Sequence, residues 1–268
     1  MGVKSAPFEY RRPETLDEAL DLLSQHGDEA KALAGGQSLI PLLAMRLAQP
    51  ALLIDLQRLP ELRGIERRSG DLRVGAMTSQ AELERVDNLP PLLAAALPHV
   101  GHFQIRSRGT VGGSLAHMDP AAEWPALALL LDAELELASR RGRRKLPAAD
   151  FARGPLISAL EPDELLVAVN LADPDGPFGF REVERRPGDF ALVAAASHRG
   201  RIVVFATGGR PQRLVECESH LRTGGGASDQ LRRLAETEIE ASGDIHVSAA
   251  YRRRVGAGLV ERVVADAS

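Results

Sequence analysis

Two short runs of residues are suited to holding an anion: Ala34-Gly35-Gly36-Gln37-Ser38 near the start, and Gly109-Thr110-Val111-Gly112-Gly113-Ser114 before the midpoint. Each sets adjacent glycines beside a hydroxyl residue. Without a Cβ the backbone approaches a ligand closely and offers its N–H groups to negative charge. Two such loops are expected to grip one pyrophosphate from both sides. Neither follows the G-x-G-x-x-G spacing of a dinucleotide-binding βαβ unit, and neither ends in the Gly-Lys-Ser/Thr of a P-loop, which counts against both classes. A rival chemistry lies in His99-x-x-His102 and His117-x-Asp119, donor pairs for a metal-dependent hydrolase, although no H-E-x-x-H helix frames them.

The elements that must position these loops follow from periodicity and turn chemistry. Residues 8–10 read as a short strand. Pro13-Glu14-Thr15-Leu16 opens a helix with an apolar stripe of Leu16, Ala19, Leu20, Leu22 and Leu23, ending near Gly27. A second strand, 31–33, runs into the first glycine loop, and a short helix over 40–47 leaves it with its N-terminus at the loop, where free N–H groups suit a phosphate. Residues 51–56 form a third strand. From Leu62 the pattern changes to short strands at 64–67 and 71–75, with Thr78 as a helix N-cap and further helices at 92–97 and 127–131. Residues 133–139 read as a strand, and Arg140-Arg141-Gly142-Arg143-Arg144 as a solvated turn. Pro174-Asp175-Gly176-Pro177 is a linker. Beyond it, 179–183, 190–198 and 201–207 alternate as a three-stranded antiparallel meander, followed by polar helices, with a flexible turn at Gly224-Gly225-Gly226.

The chain has 268 residues, 44% hydrophobic and 26% charged, a composition that suits a folded globular protein of two domains. The net charge is −4 and arginines alternate with acids, so no basic face is set up for nucleic acid. A single cysteine, Cys217, excludes an internal disulfide and a thiolate-held cluster. The first six residues hold no apolar h-region, and the apolar run 121–131 is broken by Glu123 and Pro125 and is too short to span a bilayer; a cytoplasmic chain without membrane insertion is expected.

The strings Ala34-Gly35-Gly36-Gln37-Ser38-Leu39-Ile40-Pro41, Ile105-Arg106-Ser107-Arg108-Gly109-Thr110-Val111-Gly112-Gly113-Ser114-Leu115-Ala116-His117 and Asp119-Pro120-Ala121-Ala122-Glu123 together resemble the FAD-binding medium subunit of molybdenum hydroxylases, relatives of carbon monoxide dehydrogenase, xanthine dehydrogenase and aldehyde oxidoreductase. The resemblance implies an α+β fold: a PCMH-type FAD domain over 1–173, in two subdomains of about 1–58 and 59–173, then a C-terminal domain over 177–268 with a three-stranded antiparallel sheet and three helices. It implies that Leu33, Ala34, Gly35, Gly36, Gln37, Ser38 and Leu39 wrap the FAD pyrophosphate and ribityl, and that Gly109, Thr110, Gly112, Gly113 and Ser114 bind from the other subdomain. Glu123 would accept hydrogen bonds from ribityl or ribose hydroxyls, and Leu165 or Leu166 would pack on the flavin ring, core being their alternative.

The implied role is an electron-transfer oxidoreductase subunit. Partners would be a large molybdopterin-binding subunit and a small subunit with two 2Fe-2S clusters, in a dimer of heterotrimers. Where the family commonly reads Tyr-x-Lys-x-x-x-Arg, this chain has Phe180-Arg181-Glu182-Val183-Glu184-Arg185-Arg186. A carboxylate beside the flavin N1–C2=O end would oppose negative charge there, so Glu182 is expected to face away, with Arg181 a substitute only in a shifted register. The altered Phe180 and Glu182 also keep open an assembly subunit that has lost FAD.

Overall fold

The computed structural model describes residues 5–267; residues 1–4, where the reading for a targeting signal begins, and residue 268 lie outside the described residues. The first lobe contains β1 (Glu9–Arg11), α1 (Leu16–His26), β2 (Ala30–Leu33), α2 (Leu39–Ala44) and β3 (Leu52–Asp55). Its strands form a parallel sheet in the order β1-β3-β2. Thr15 caps α1 by accepting the Glu18 N–H, and Leu16, Ala19, Leu20 and Leu23 on one face are buried against the sheet.

The middle lobe begins with β4 (Ile65–Arg68), β5 (Asp71–Gly75), α3 (Gln80–Leu83), α4 (Pro91–Ala96), α5 (Phe103–Arg106), α6 (Val111–His117) and α7 (Glu123–Leu130). It continues with β6 (Glu134–Ser139), β7 (Gly142–Pro147), α8 (Ala148–Phe151), β8 (Ala152–Gly154), β9 (Ile157–Ser158) and β10 (Leu165–Leu171). Five of these strands form an antiparallel sheet, β4-β5-β10-β6-β7. Helix α7 is apolar on nearly every side, with Trp124 fully buried, because the large core closes over it on both faces.

The third part has β11 (Phe178–Val183), β12 (Val193–His198), β13 (Arg201–Phe205), β14 (Gln212–Arg213), α9 (Val215–Arg222), α10 (Asp229–Glu238) and α11 (Ala249–Asp266). One core runs from Leu72, Trp124 and Leu135 of the middle lobe into Ala194, Val203 and Phe205 of this sheet. A second face of the same sheet, Val193, Ala195 and Val204, packs on Val260 and Val263 of α11.

Several expectations are corrected. The C-terminal sheet has four strands, β14 adding a short edge that pairs with β13. Phe190, expected in a strand, is 64% exposed in the turn before β12. Ser79, not Thr78, caps α3, forming a capping box with Glu82; Thr78 is buried and its hydroxyl donates to the Gly64 carbonyl. The arginine run is only partly a turn: Gly142, Arg143 and Arg144 lie in β7, Arg141 pairs with Asp163, and Arg144 pairs with Glu164 at 2.6 Å.

Candidate functional site

The first glycine loop is held by its carbonyls and leaves its N–H groups over. Gln57 Nε2 donates to the Ala34 carbonyl at 3.0 Å, and Gln37 Nε2 to that of Gly35 at 3.1 Å. Asp55, at the end of β3, positions Gln57 by accepting its N–H at 2.9 Å, and Tyr10 donates its hydroxyl to the same carboxylate. Gly36 sits at φ +75°, in the left-handed region that favours glycine. Among the described residues, none of the backbone N–H groups of Gly35, Gly36, Gln37, Ser38 or Leu39 has a protein acceptor. Ser38 makes no capping hydrogen bond to α2. Five successive unshared donors at the head of a helix form a concavity for an anion.

The second loop is built differently. Its amides are committed within the protein: Val111 N–H donates to Thr78 O at 3.0 Å, Gly112 to Ala76 O at 2.9 Å, and Ser114 to Thr110 O at 3.1 Å. Gly113 N–H donates to Thr110 Oγ1 at 3.0 Å, the N-cap of α6, and Gly109 N–H to Ile105 O at 2.6 Å. Unshared backbone donors are therefore concentrated in the first loop. Glycines of both loops are needed for contact: a Cβ on Gly112 of the second loop would overlap Ala76, and one on Gly35 of the first would overlap the Arg108 carbonyl. A Cβ on Gly113 would stand 3.4 Å from that of Ala34. The two loops thus meet directly, instead of standing apart as two jaws.

Beside this seam is a hollow of about 430 Å³ lined by Leu33, Ala34, Gly35, Gly36, Gln37, Ile40, Pro41, Asp55, Ile105 and Arg108. Arg108 is exposed and has no acidic partner among the described residues, so the hollow combines a free guanidinium with the free amides. Sequence reasoning quoted Arg108 but gave it no role; its place directly before the second glycine loop was the available signal. Gly109, Thr110, Gly112, Gly113 and Ser114 form the packed support behind the hollow and do not line it. Leu39 begins α2, next to the lining.

Glu123 opens α7 and is buried, 4% exposed; burial raises its carboxyl to about 7, with Asp119 and Glu184 adding to the effect against a hydrogen bond from its own backbone. Leu165 and Leu166 are core residues of β10, 4% and 5% exposed, on opposite faces: Leu165 packs with the first lobe and Leu166 with the middle lobe. The alternation of a strand sends the two leucines into different cores, and neither lines the hollow beside the first loop.

On β11, Phe180 and Glu182 share one face, while Arg181 points to the other and pairs with Asp266 of α11 at 2.8 Å. Arg181 therefore does not replace the missing lysine. The Glu182 side chain is 0% exposed, 3.9 Å from His99 Nδ1, and burial followed by the charges of Glu123 and Glu184 raises its carboxyl to about 9. Among the described residues, His99, His102, His117 and Asp119 do not gather as a ligand set. Among the described residues His99 groups with Glu182 and Glu184 instead.

Residues 6–173 match the family described as the FAD-binding domain in molybdopterin dehydrogenase, and the chain belongs to that family. It is an FAD-binding flavoprotein of the oxidoreductases, of the medium-subunit type. It is 37% identical over 284 residues to the nicotine 6-hydroxylase medium subunit of Paenarthrobacter nicotinovorans, covering 99% of each chain. It is 40% identical over 195 residues to the carbon monoxide dehydrogenase medium chain of Hydrogenophaga pseudoflava, covering 70% of this chain and 68% of that one. Among solved structures, quinoline 2-oxidoreductase from Pseudomonas putida 86 superposes with a TM-score of 0.91 at 36% identity over 98% of both chains. No helix among the described residues is long and apolar enough to cross a membrane.

Proposed function

We propose that the amides of residues 35–39, with Ser38 and Arg108, hold the pyrophosphate of FAD, and that Leu33 and Ile105 flank its neighbouring sugar and ring. The observation that carries this reading is the run of five unshared N–H groups, three of them on residues that line the hollow, beside a guanidinium with no acidic partner among the described residues. Both features favour a diphosphate and neither has another use in the fold. The second loop's part is to fix the first from behind, through Thr110, Gly112, Gly113 and Ser114. Glu123 supplies a carboxyl for sugar or ribityl hydroxyls at the far end of the cleft.

FAD bound here supplies an electron relay, taking electrons from iron–sulfur clusters on a small partner subunit, fed by a molybdopterin-bearing large subunit, and passing them to an external acceptor. The protein's own task is to bind, orient and shield. A cytoplasmic complex built as a dimer of heterotrimers is the assembly this role implies. The assembly-only alternative predicts a degraded cradle, and the intact amide run speaks against it.

The test compares FAD with riboflavin, which lacks the diphosphate, by equilibrium titration of the full chain. Saturation at one FAD per chain, with riboflavin bound at least a hundredfold more weakly, is expected. Equal affinity for both would overturn the assignment of the pyrophosphate to this loop.

A further inference from the structure

The seam between the middle lobe and the C-terminal sheet carries a second polar cluster that the cradle does not use. His99 lies in the short turn after α4, Glu182 on β11, and Glu184 just beyond it, two residues along the same strand direction, so both carboxylates project to one side. One nitrogen of His99 and one oxygen from each glutamate all lie within 4.8 Å of one another.

The observation that points to a ligand is Glu182. Its side chain is completely withdrawn from solvent, and neither carboxylate oxygen has a hydrogen-bond partner among the described residues. Buried polar atoms are nearly always partnered, and a buried carboxyl without a partner is costly to keep. Among the described residues no fixed positive charge pairs with it: the one basic atom within 4 Å is His99 Nδ1 at 3.9 Å, and the charges acting on it are those of Glu123 and Glu184. The surroundings are otherwise ordered. The His99 ring packs against Phe180 with centroids 5.2 Å apart, and one oxygen of Glu184 accepts the Gly188 N–H at 3.0 Å, which holds that side chain beside the strand. The His99 side chain is 35% exposed, so the cluster is closed on the strand side and open on the imidazole side.

We propose that His99, Glu182 and Glu184 bind one divalent transition-metal ion, with water completing its coordination, and that the ion fastens β11 to the turn after α4. One imidazole nitrogen with two carboxylate oxygens is a donor set suited to Mn²⁺, Fe²⁺ or Zn²⁺, and the imidazole makes it a poor match for Mg²⁺. Ligand atoms around such an ion stand about 3 to 4.5 Å apart, given bond lengths of roughly 2.0–2.2 Å. Small side-chain rotations therefore suffice to close the triad. The ion would supply the counter-charge that Glu182 lacks. The triad shares no residue with the lining of the hollow, although Glu182 neighbours Glu123 at the far end of the cleft, and its role is to fix the seam there.

The experiment uses the full chain loaded with FAD and stripped with EDTA, titrated with MnCl₂ and followed by the loss of the free Mn²⁺ signal in electron paramagnetic resonance, then with ZnCl₂ by calorimetry. One saturable site per chain is expected. Glu182→Gln is expected to weaken Mn²⁺ at least thirtyfold, and His99→Ala about tenfold; the latter alters a partly exposed side chain and serves if the first variant folds poorly. Absence of saturation by either ion at millimolar concentration, or unchanged affinity in both variants, would overturn the proposal. FAD content is read by absorbance on the same samples. FAD retained with no metal bound defeats the metal site alone, and metal bound without FAD defeats the cradle alone.

Discussion

Gly35 lies against the backbone of Arg108 so closely that a methyl group on it would overlap the Arg108 carbonyl oxygen and stand 2.8 Å from Gly109 Cα. This is where the two glycine loops join, and backbone has no way to yield as a flexible side chain does. Gly35→Ala is therefore expected to push the first loop off the second and lower FAD affinity more than tenfold. Gly258→Ala, on α11 with nothing within 4 Å of the new methyl, is the control. It should leave FAD binding intact and raise stability by about 0.5–1 kcal/mol through helix propensity. Flavin absorbance after gel filtration and thermal melts measure both.

Among the described residues, Arg108 is the one lining residue of the hollow with a positive charge. A charged hydrogen bond to a phosphate contributes about 1.5–3 kcal/mol, so Arg108→Ala should weaken FAD by roughly ten- to a hundredfold. The loss should shrink in high salt, which screens the charge the wild type uses. Riboflavin affinity should not change. Fluorescence titrations at two ionic strengths test this, and an equal loss for both flavins would remove Arg108 from the diphosphate.

Thr110 Oγ1 accepts the Gly113 N–H and closes the first turn of α6. Thr110→Val keeps the shape and removes the acceptor. It should cost about 1 kcal/mol of stability and leave a half-buried donor unpaired, whereas Thr110→Ser should be nearly neutral. Urea unfolding of the three proteins decides it.

Glu136 on β6 faces Arg73 on β5, with 2.9 Å between Oε2 and Nη2 and a further hydrogen bond from Asn170. The Arg73 guanidinium, then the Asn170 amide, hold its carboxyl down at about 2, against an ordinary 4.5. A carboxyl lowered on folding stabilises above its unfolded value, and that contribution disappears as pH falls through the folded one. The pair should thus be at full strength above about pH 4.5 and be lost between there and about pH 2. Since the side chains are 14% and 20% exposed, a coupling of about 1–2 kcal/mol is expected. A double-mutant cycle with Arg73→Met and Glu136→Gln at pH 7 should give that value, and at pH 2.5 much less.

The sequence made the first loop legible because a glycine pair between a strand and a helix start has few other uses, and Ser38 and Gln37 travel with it. It did not show that the second loop's amides are shared, since two of their acceptors, Ala76 and Thr78, come from the end of β5 and beyond, a tertiary fact that no local spacing carries. Ser79 was recoverable: Glu82 stands three residues after it, the capping-box spacing, while Thr78 has Ala81 at that place. The four-stranded C-terminal sheet was under-read because β14 is two residues long, too short for any period. The encounter of His99 with Glu182 was out of reach, as it depends on how α4 docks on β11. That Leu165 and Leu166 enter different interiors follows from a strand's alternation once its place in the sheet is known.

The core that runs from Leu72 and Trp124 into Val203 and Phe205 has a consequence for synthesis of the chain. Helix α7 is complete early, yet the strands that cover its outer side, β12 and β13, emerge from the ribosome much later. Until they do, a nascent polypeptide displays one of its most oily helices to the cell, a state in which chaperones and aggregation compete. A gene cut after codon 173 would leave the product with that face bare, so the stretch that carries the family signature is expected to need the tail when grafted elsewhere.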